Sequence, residues 1–119
     1  MREFDHVGLP TSHRQPNEMY VEQTKVWVTD PAAHPHRLEY LRYEPDSPVT
    51  GPVRELPHMA FRVDNLEQAM AGEEIVLGPF QATPTLRVVF IRKDGALFEF
   101  MESSQTGHWF RGAGLPASS

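Results

Sequence analysis

The two halves of this chain can be laid on one another. FDHVGL matches LPHMAF, with His6 on His58; KVWVT matches RVVFI, with Lys25 on Arg87; RLEYLRY matches ALFEFME, with Glu39 on Glu99. A repeat inside so short a chain means one supersecondary unit built twice, each copy needing the other to cover its apolar face. In the second copy, PHMAFRV (57–63) is a strand and Asp64 caps a short helix, NLEQAMAG, ended by Gly72. A short strand from Glu74 to Leu77 then closes at Gly78-Pro79, and LRVVFIR (86–92) and LFEFME (97–102) form a hairpin through Asp94-Gly95. That order is β-α-β-β-β.

The first copy is the reduced one. FDHVGL (4–9), KVWVT (25–29) and RLEYLRY (37–43) read as strands, with a weaker strand at Met19 to Val21. TSHRQPNE and DPAAHP are loop and turn chemistry. The stretch between the His6 and Lys25 strands is shorter by about a helix than its counterpart. The expected architecture is therefore α+β: two βαβββ-type modules forming a curved mixed sheet around a cavity, the helix of the first missing or very short. The expected organisation is a single domain over 1–119, with module one at about 3–44, a linker at 45–56, module two at about 57–102 and a flexible tail at 103–119.

Length and composition narrow the function. A chain of 119 residues holds one modest core. With no cysteine, disulfides and thiolate metal sites are excluded. Net charge is -5 and the basic residues are scattered, which argues against nucleic acid or an anionic membrane as partner. No apolar run reaches the roughly 18 residues of a membrane span. The opening MREFDHVGLP lacks an apolar stretch of secretory-signal length, so a cytoplasmic location is expected. The 11 prolines fall mostly between apolar runs, as they do in chains of many short strands.

The repeat also pairs chemistry. Alternate strand residues share a face, so His58 goes with Ala60 and Arg62, Glu99 with Leu97 and Met101, His6 with Phe4 and Gly8, and Glu39 with Leu41 and Tyr43. Each half-sheet then has one greasy face for helix or core and another carrying a His and a Glu. Taken singly, each of these four is an ordinary solvated strand residue; matched places in a repeat are what raise them above that. If the half-sheets meet pseudo-symmetrically, His6, Glu39, His58 and Glu99 converge. Two imidazoles and two carboxylates suit a borderline divalent ion: Zn, Ni, Co, Mn or Fe(II).

The segments FDHVGLPT, PHMAFRVDNLEQA and LRVVFIRKDGALFEFME resemble the glyoxalase / bleomycin-resistance / extradiol dioxygenase superfamily, the vicinal oxygen chelate fold. The resemblance covers most of residues 3 to 102 and is better in the second module. It implies metal ligands on the first and last strands of each module, here His6, Glu39, His58 and Glu99. It also implies a reaction in which two substrate oxygens meet the ion. Glu39 fills a position that three-ligand dioxygenases and fosfomycin-resistance-like enzymes leave unused and that glyoxalase-type enzymes occupy. The resemblance thus implies a metal-dependent lyase, isomerase or epimerase acting on a small oxygenated substrate, with Glu99 or Glu39 as general base, and a homodimer. The alternatives are a metal-free, drug-sequestering dimer of the same fold, or an extradiol-type dioxygenase.

Other residues invite weaker readings. Arg62 could bind a substrate carboxylate or phosphate, and Tyr43 could hydrogen-bond a ligand or simply wall the pocket. His34 and His36 mimic a metal pair but sit in a Pro-rich turn. His13 and His108 read as surface, Trp27 and Trp109 as packing, and Lys25 and Arg87 as solvent-facing. The linker and the absent helix leave one cavity edge open, which a second subunit could cover.

Overall fold

The structure is a computed structural model and describes residues 2–104. Its eight strands are β1 (Arg2–Pro10), β2 (Met19–Val21), β3 (Val26–Val28), β4 (Leu38–Tyr43), β5 (His58–Val63), β6 (Glu74–Thr83), β7 (Leu86–Lys93) and β8 (Ala96–Ser103). They form one mixed sheet in the order β2-β3-β4-β1-β5-β8-β7-β6. Strands 1 to 4 and strands 5 to 8 repeat the same layout on either side of a central antiparallel β1–β5 seam. In each half the first strand pairs in parallel with the last. The fold is α+β, a sheet curled around a cavity. Two short helices complete it, α1 (Pro52–Glu55) and α2 (Leu66–Met70). None of the described helices is long and apolar enough to cross a membrane.

The curl creates two cores. The outer one holds Val63, Leu66, Val89, Ile91 and Phe100, with α2 laid over them. Leu66 is fully buried there, and Asn65, not Asp64, caps the helix by accepting from the Gln68 amide at 2.9 Å. The inner core lines the concave face and includes Val26, Val28, Leu41, Val88, Phe90 and Met101. The face that carries the His and Glu residues thus has an apolar core of its own. Module one has no helix between β1 and β2. Its outer face is closed by Trp27, against which Tyr20 packs at 4.8 Å and Arg42 stacks at 5.5 Å.

Three local expectations change. β1 carries a bulge: Phe4 pairs with Phe61 and His6 with Ala60, so Asp5 is extra in the ladder. The added residue flips the alternation. Phe4 lies not with His6 but on the outer face, edge-on to Phe61 at 5.7 Å. β6 does not end at Gly78-Pro79 but continues to Thr83 through several register shifts. A proline is tolerated there because β6 is an edge strand. The linker is not passive: Val49 and Val53 are buried in the inner core and cover the edge that was expected to stand open. At the other end, β8 runs to Ser103 and Ser104 donates its amide to the Thr85 carbonyl at 2.8 Å. The remainder of the expected tail, with His108 and Trp109, lies outside the described residues.

Candidate metal centre

The register of the central seam brings the two halves of the site together. β1 and β5 are symmetric about the Val7–Met59 pair: His6 faces Ala60, and Gly8 faces His58. The next strands repeat this, with Gly8 beside Glu39 and Ala60 beside Glu99. Each histidine therefore stands across from a very small residue, and each small residue stands beside a glutamate. The need for small residues is steric. A Cβ on Gly8 would lie 2.1 Å from Cε1 and 2.5 Å from Nε2 of His58, far inside van der Waals contact. Only glycine lets that imidazole lie over the strand.

All four side chains are buried: His6 1% exposed, His58 2%, Glu39 5% and Glu99 7%. The rings of His6 and His58 meet edge-on at 5.7 Å. His6 Nε2 lies 3.1 Å from Glu39 Oε1 and 3.6 Å from Glu99 Oε1, and His58 Nε2 lies 3.0 Å from Glu99 Oε1. Donor atoms of His6, Glu39 and His58 all fall within 4.8 Å of one another. Two imidazoles with carboxylates suit a divalent cation of the zinc type in chemistry, and donors this close could hold one.

The electrostatics couple the four groups. Burial disfavours the imidazolium of His6, yet the Glu39 charge and hydrogen bonds with Asp5, Glu39 and Glu99 outweigh it and raise its pKa well above the ordinary value. Burial pushes the Glu99 carboxyl up, but His58 and His6 prevail and hold it well below the usual carboxylate range. Tyr43 is shifted upward by burial and by the charges of Glu99 and Glu39, so it remains a neutral phenol.

A residue that sequence reasoning passed over completes the arrangement. Asp5, on the bulge, is buried and bonds His6 Nδ1 at 2.7 Å. This directs Nε2 of His6 toward the glutamates, the usual role of a carboxylate behind a ligating histidine. Asp5 is in turn met by Arg62 Nε at 3.1 Å and by Arg37 at 3.5 Å, while Arg37 Nε also donates to the Asp5 carbonyl. Arg62 is therefore engaged behind the site, and also faces Glu3 at 3.6 Å; it is not part of the cavity wall. His58 has no such support. Pro57 stands where Asp5 stands in the other copy, and His58 Nδ1 has no hydrogen-bond partner among the described residues. Its ring is held by packing, edge-on to Phe90 at 5.2 Å and over Gly8. An acidic residue immediately before a strand histidine was the available signal for Asp5.

The concave side forms a cavity with a free volume of about 70 Å³. His6, Glu39, Glu99 and Tyr43 reach its surface, and His58 lies behind it. Tyr43 donates weakly to the Val53 carbonyl at 3.4 Å. His34 and His36 are far from this arrangement in role: the His36 amide donates to His34 Nδ1 at 3.0 Å, which makes them a self-contained turn.

The chain matches no protein-family model and no curated protein. Among solved structures, the crystal structure of a hypothetical protein from Bacillus halodurans C-125 is similar, at 16% identity and a TM-score of 0.67, covering 90% of this chain and 98% of that one. At that identity the likeness concerns the fold alone.

Proposed function

We propose that this protein binds a divalent metal through His6, Glu39, His58 and Glu99 and is a lyase, isomerase or epimerase of the vicinal oxygen chelate kind, acting on a small oxygenated substrate. The observation that carries the reading is the burial of two imidazoles and two carboxylates at one point of a pseudo-symmetric seam, facing an apolar cavity. Burying a carboxylate costs several kcal/mol unless it is well paired, and hydrophobic side chains would fill the same seam at less cost. Such a cluster in a cavity is the usual mark of a functional site. The ion, when bound, supplies Lewis acidity to a substrate oxygen.

The chain's own groups divide the remaining work. His6 and His58 hold Glu99 between them, at 3.6 and 3.0 Å, whereas Glu39 meets His6 alone at 3.1 Å. Glu39 is thus the less restrained carboxylate and takes the proton from the substrate carbon, while Glu99 stays in place. Tyr43, a neutral donor on the wall, orients the substrate. The apolar lining excludes bulk water and strengthens each of these contacts.

Calorimetry with Zn, Ni, Co, Mn and Fe(II) tests this directly. One ion is expected per chain. His6→Ala and His58→Ala each weaken binding tenfold or more, about 1.4 kcal/mol or above, and His34→Ala with His36→Ala leaves it unchanged. Failure of every ion to bind at micromolar affinity would sink the proposal. Cleavage of a catechol by oxygen with Glu39→Ala still active would favour the dioxygenase alternative instead.

A further inference from the structure

The concave cavity has a neighbouring space on either side. On one side, Leu41 and Tyr43 divide it from a surface groove at Thr11, Ser12 and Arg54. That wall is pinned: Arg54 stacks on the Tyr43 ring at 5.6 Å and donates to the carbonyls of Val49 and Glu44 at 3.4 and 3.2 Å. On the other side, Val21, Ala82 and Thr83 line both the cavity and an outer space of about 550 Å³. This space lies where the curled sheet comes back on itself, between its two edge strands β2 and β6. The dividing side chains are small here, and the β6 ladder shifts register between Gln81 and Thr83. A ligand too long for the cavity's free volume of about 70 Å³ extends most easily past Val21 and Ala82.

The outer space has a chemistry of its own. Among the described residues its one charged side chain is Glu22, alongside the carboxamides of Gln23 and Gln81. Tyr20 adds a ring that is 38% exposed and backed by Trp27 at 4.8 Å. The cations around it are engaged elsewhere. Lys25, on the same turn as Glu22, binds Asp46 at 2.7 Å. Arg87, opposite Gln81 in the ladder, is held by Glu67 and Glu102. A carboxylate and an aromatic face with no cation between them favour an organic cation. An anion would meet a like charge there.

We infer that the gap between β2 and β6 holds the protonated amino end of an elongated ligand, whose aliphatic stem passes Val21 and Ala82 and whose oxygen-bearing end lies in the cavity. This deepens the functional reading above and rests on ligand chemistry taking place at that cavity.

The test is a titration of the full chain with its Val and Ala methyl groups isotopically labelled, both chelator-treated and zinc-loaded. The probes share one length and differ at one end: 6-amino-1-hexanol, 1,6-hexanediol and 6-hydroxyhexanoate. The amino alcohol should shift the methyl signals of Val21 and Ala82 together with those of Val26 and Val88 inside. It should bind at least about threefold more tightly than the diol, the scale of one exposed ion pair with an aromatic contact, and more tightly still than the hydroxy acid. Glu22→Gln, on an exposed turn, should bring the amino alcohol level with the diol and leave the diol unchanged. An amino alcohol no tighter than the diol, or a hydroxy acid as tight as either, overturns the inference. So does the failure of every probe to shift Val21 and Ala82. An equal loss from Glu55→Gln, in the opposite groove, would reveal general attraction to a chain of net charge -5 and overturn it as well. Zinc affinity is read separately by calorimetry. Absent zinc binding with the amine preference intact would defeat the metal reading and support this one; tight zinc binding without an amine preference would do the reverse.

Discussion

Asp5 and Gly8 show how much of the site is set by residues outside the four candidate ligands. Asp5 holds His6 Nδ1 at 2.7 Å and is itself held by Arg62 and Arg37. Asp5→Asn retains the shape but removes the charge that favours a donated Nδ1–H. The amide can present its own NH2 to the ring, which would make Nδ1 the acceptor and leave the proton on Nε2, the nitrogen that faces the glutamates. Metal affinity should fall about 10- to 100-fold, as for other supports of ligating histidines, with the urea midpoint of the chelated protein little altered. Nitrogen NMR of His6 provides the decisive readout, because a purely structural Asp5 would leave the ring tautomer unchanged. Gly8 was legible only as part of a strand. That it must be glycine comes from the His58 ring crossing it, a contact between strands that no local pattern announces.

At the scale of elements, the strands and their order within each module were legible because β-branched and aromatic runs are separated by Pro, Gly and Asp. Three features were not. The β1 bulge has no local sequence signature, yet it decides that Asp5 and His6 are both buried while Phe4 turns outward. β6 passes a proline that reads as a stop, because only its position at the sheet edge makes the proline harmless. The segment from Glu44 to Leu56 reads as a linker because it is rich in Pro, Gly and charge; its two valines are too few to reveal a periodic face. Nonetheless Val53 is 2% exposed and Val49 5%, and both line the cavity. Val53→Ala should destabilise the domain by about 2 kcal/mol, between the costs of smaller and larger core deletions, as measured by urea unfolding. It should also enlarge the cavity and speed ligand exchange. A loss below about 0.5 kcal/mol would mean that α1 is not docked in solution.

For the whole molecule, the repeat made the candidate site readable in advance: matched positions in two modules must be near one another if the modules share a seam. The pairings Gly8–Glu39 and Ala60–Glu99, symmetric about Val7–Met59, realise that logic. What remained hidden was asymmetry. His6 has Asp5 behind it and His58 has only packing behind its ring, and the concave face proved apolar around the His and Glu cluster, because curvature is not written in the alternation of single strands. The seam also exposes a conflict between stability and function that can be measured. Glu39 and Glu99 are both buried at the centre of the molecule, where removing one partner of a charged cluster is destabilising but removing the charges together is often neutral or stabilising by about 1–4 kcal/mol. The double variant Glu39→Gln with Glu99→Gln preserves size and hydrogen-bonding capacity and leaves the imidazoles free to be neutral. Its chelated form is therefore expected to melt at or above the temperature of the chelated parent. Ligand linkage acts in the opposite direction on the parent. An ion at about 100 times its Kd stabilises a folded domain by about 2.7 kcal/mol, and the double variant should lose that increment entirely. The two melting curves, with and without zinc, thus separate a site kept for its ligand from one kept for the fold. If the double variant melts well below the chelated parent, the four residues serve as a structural ion-pair network, and the metal assignment falls with them.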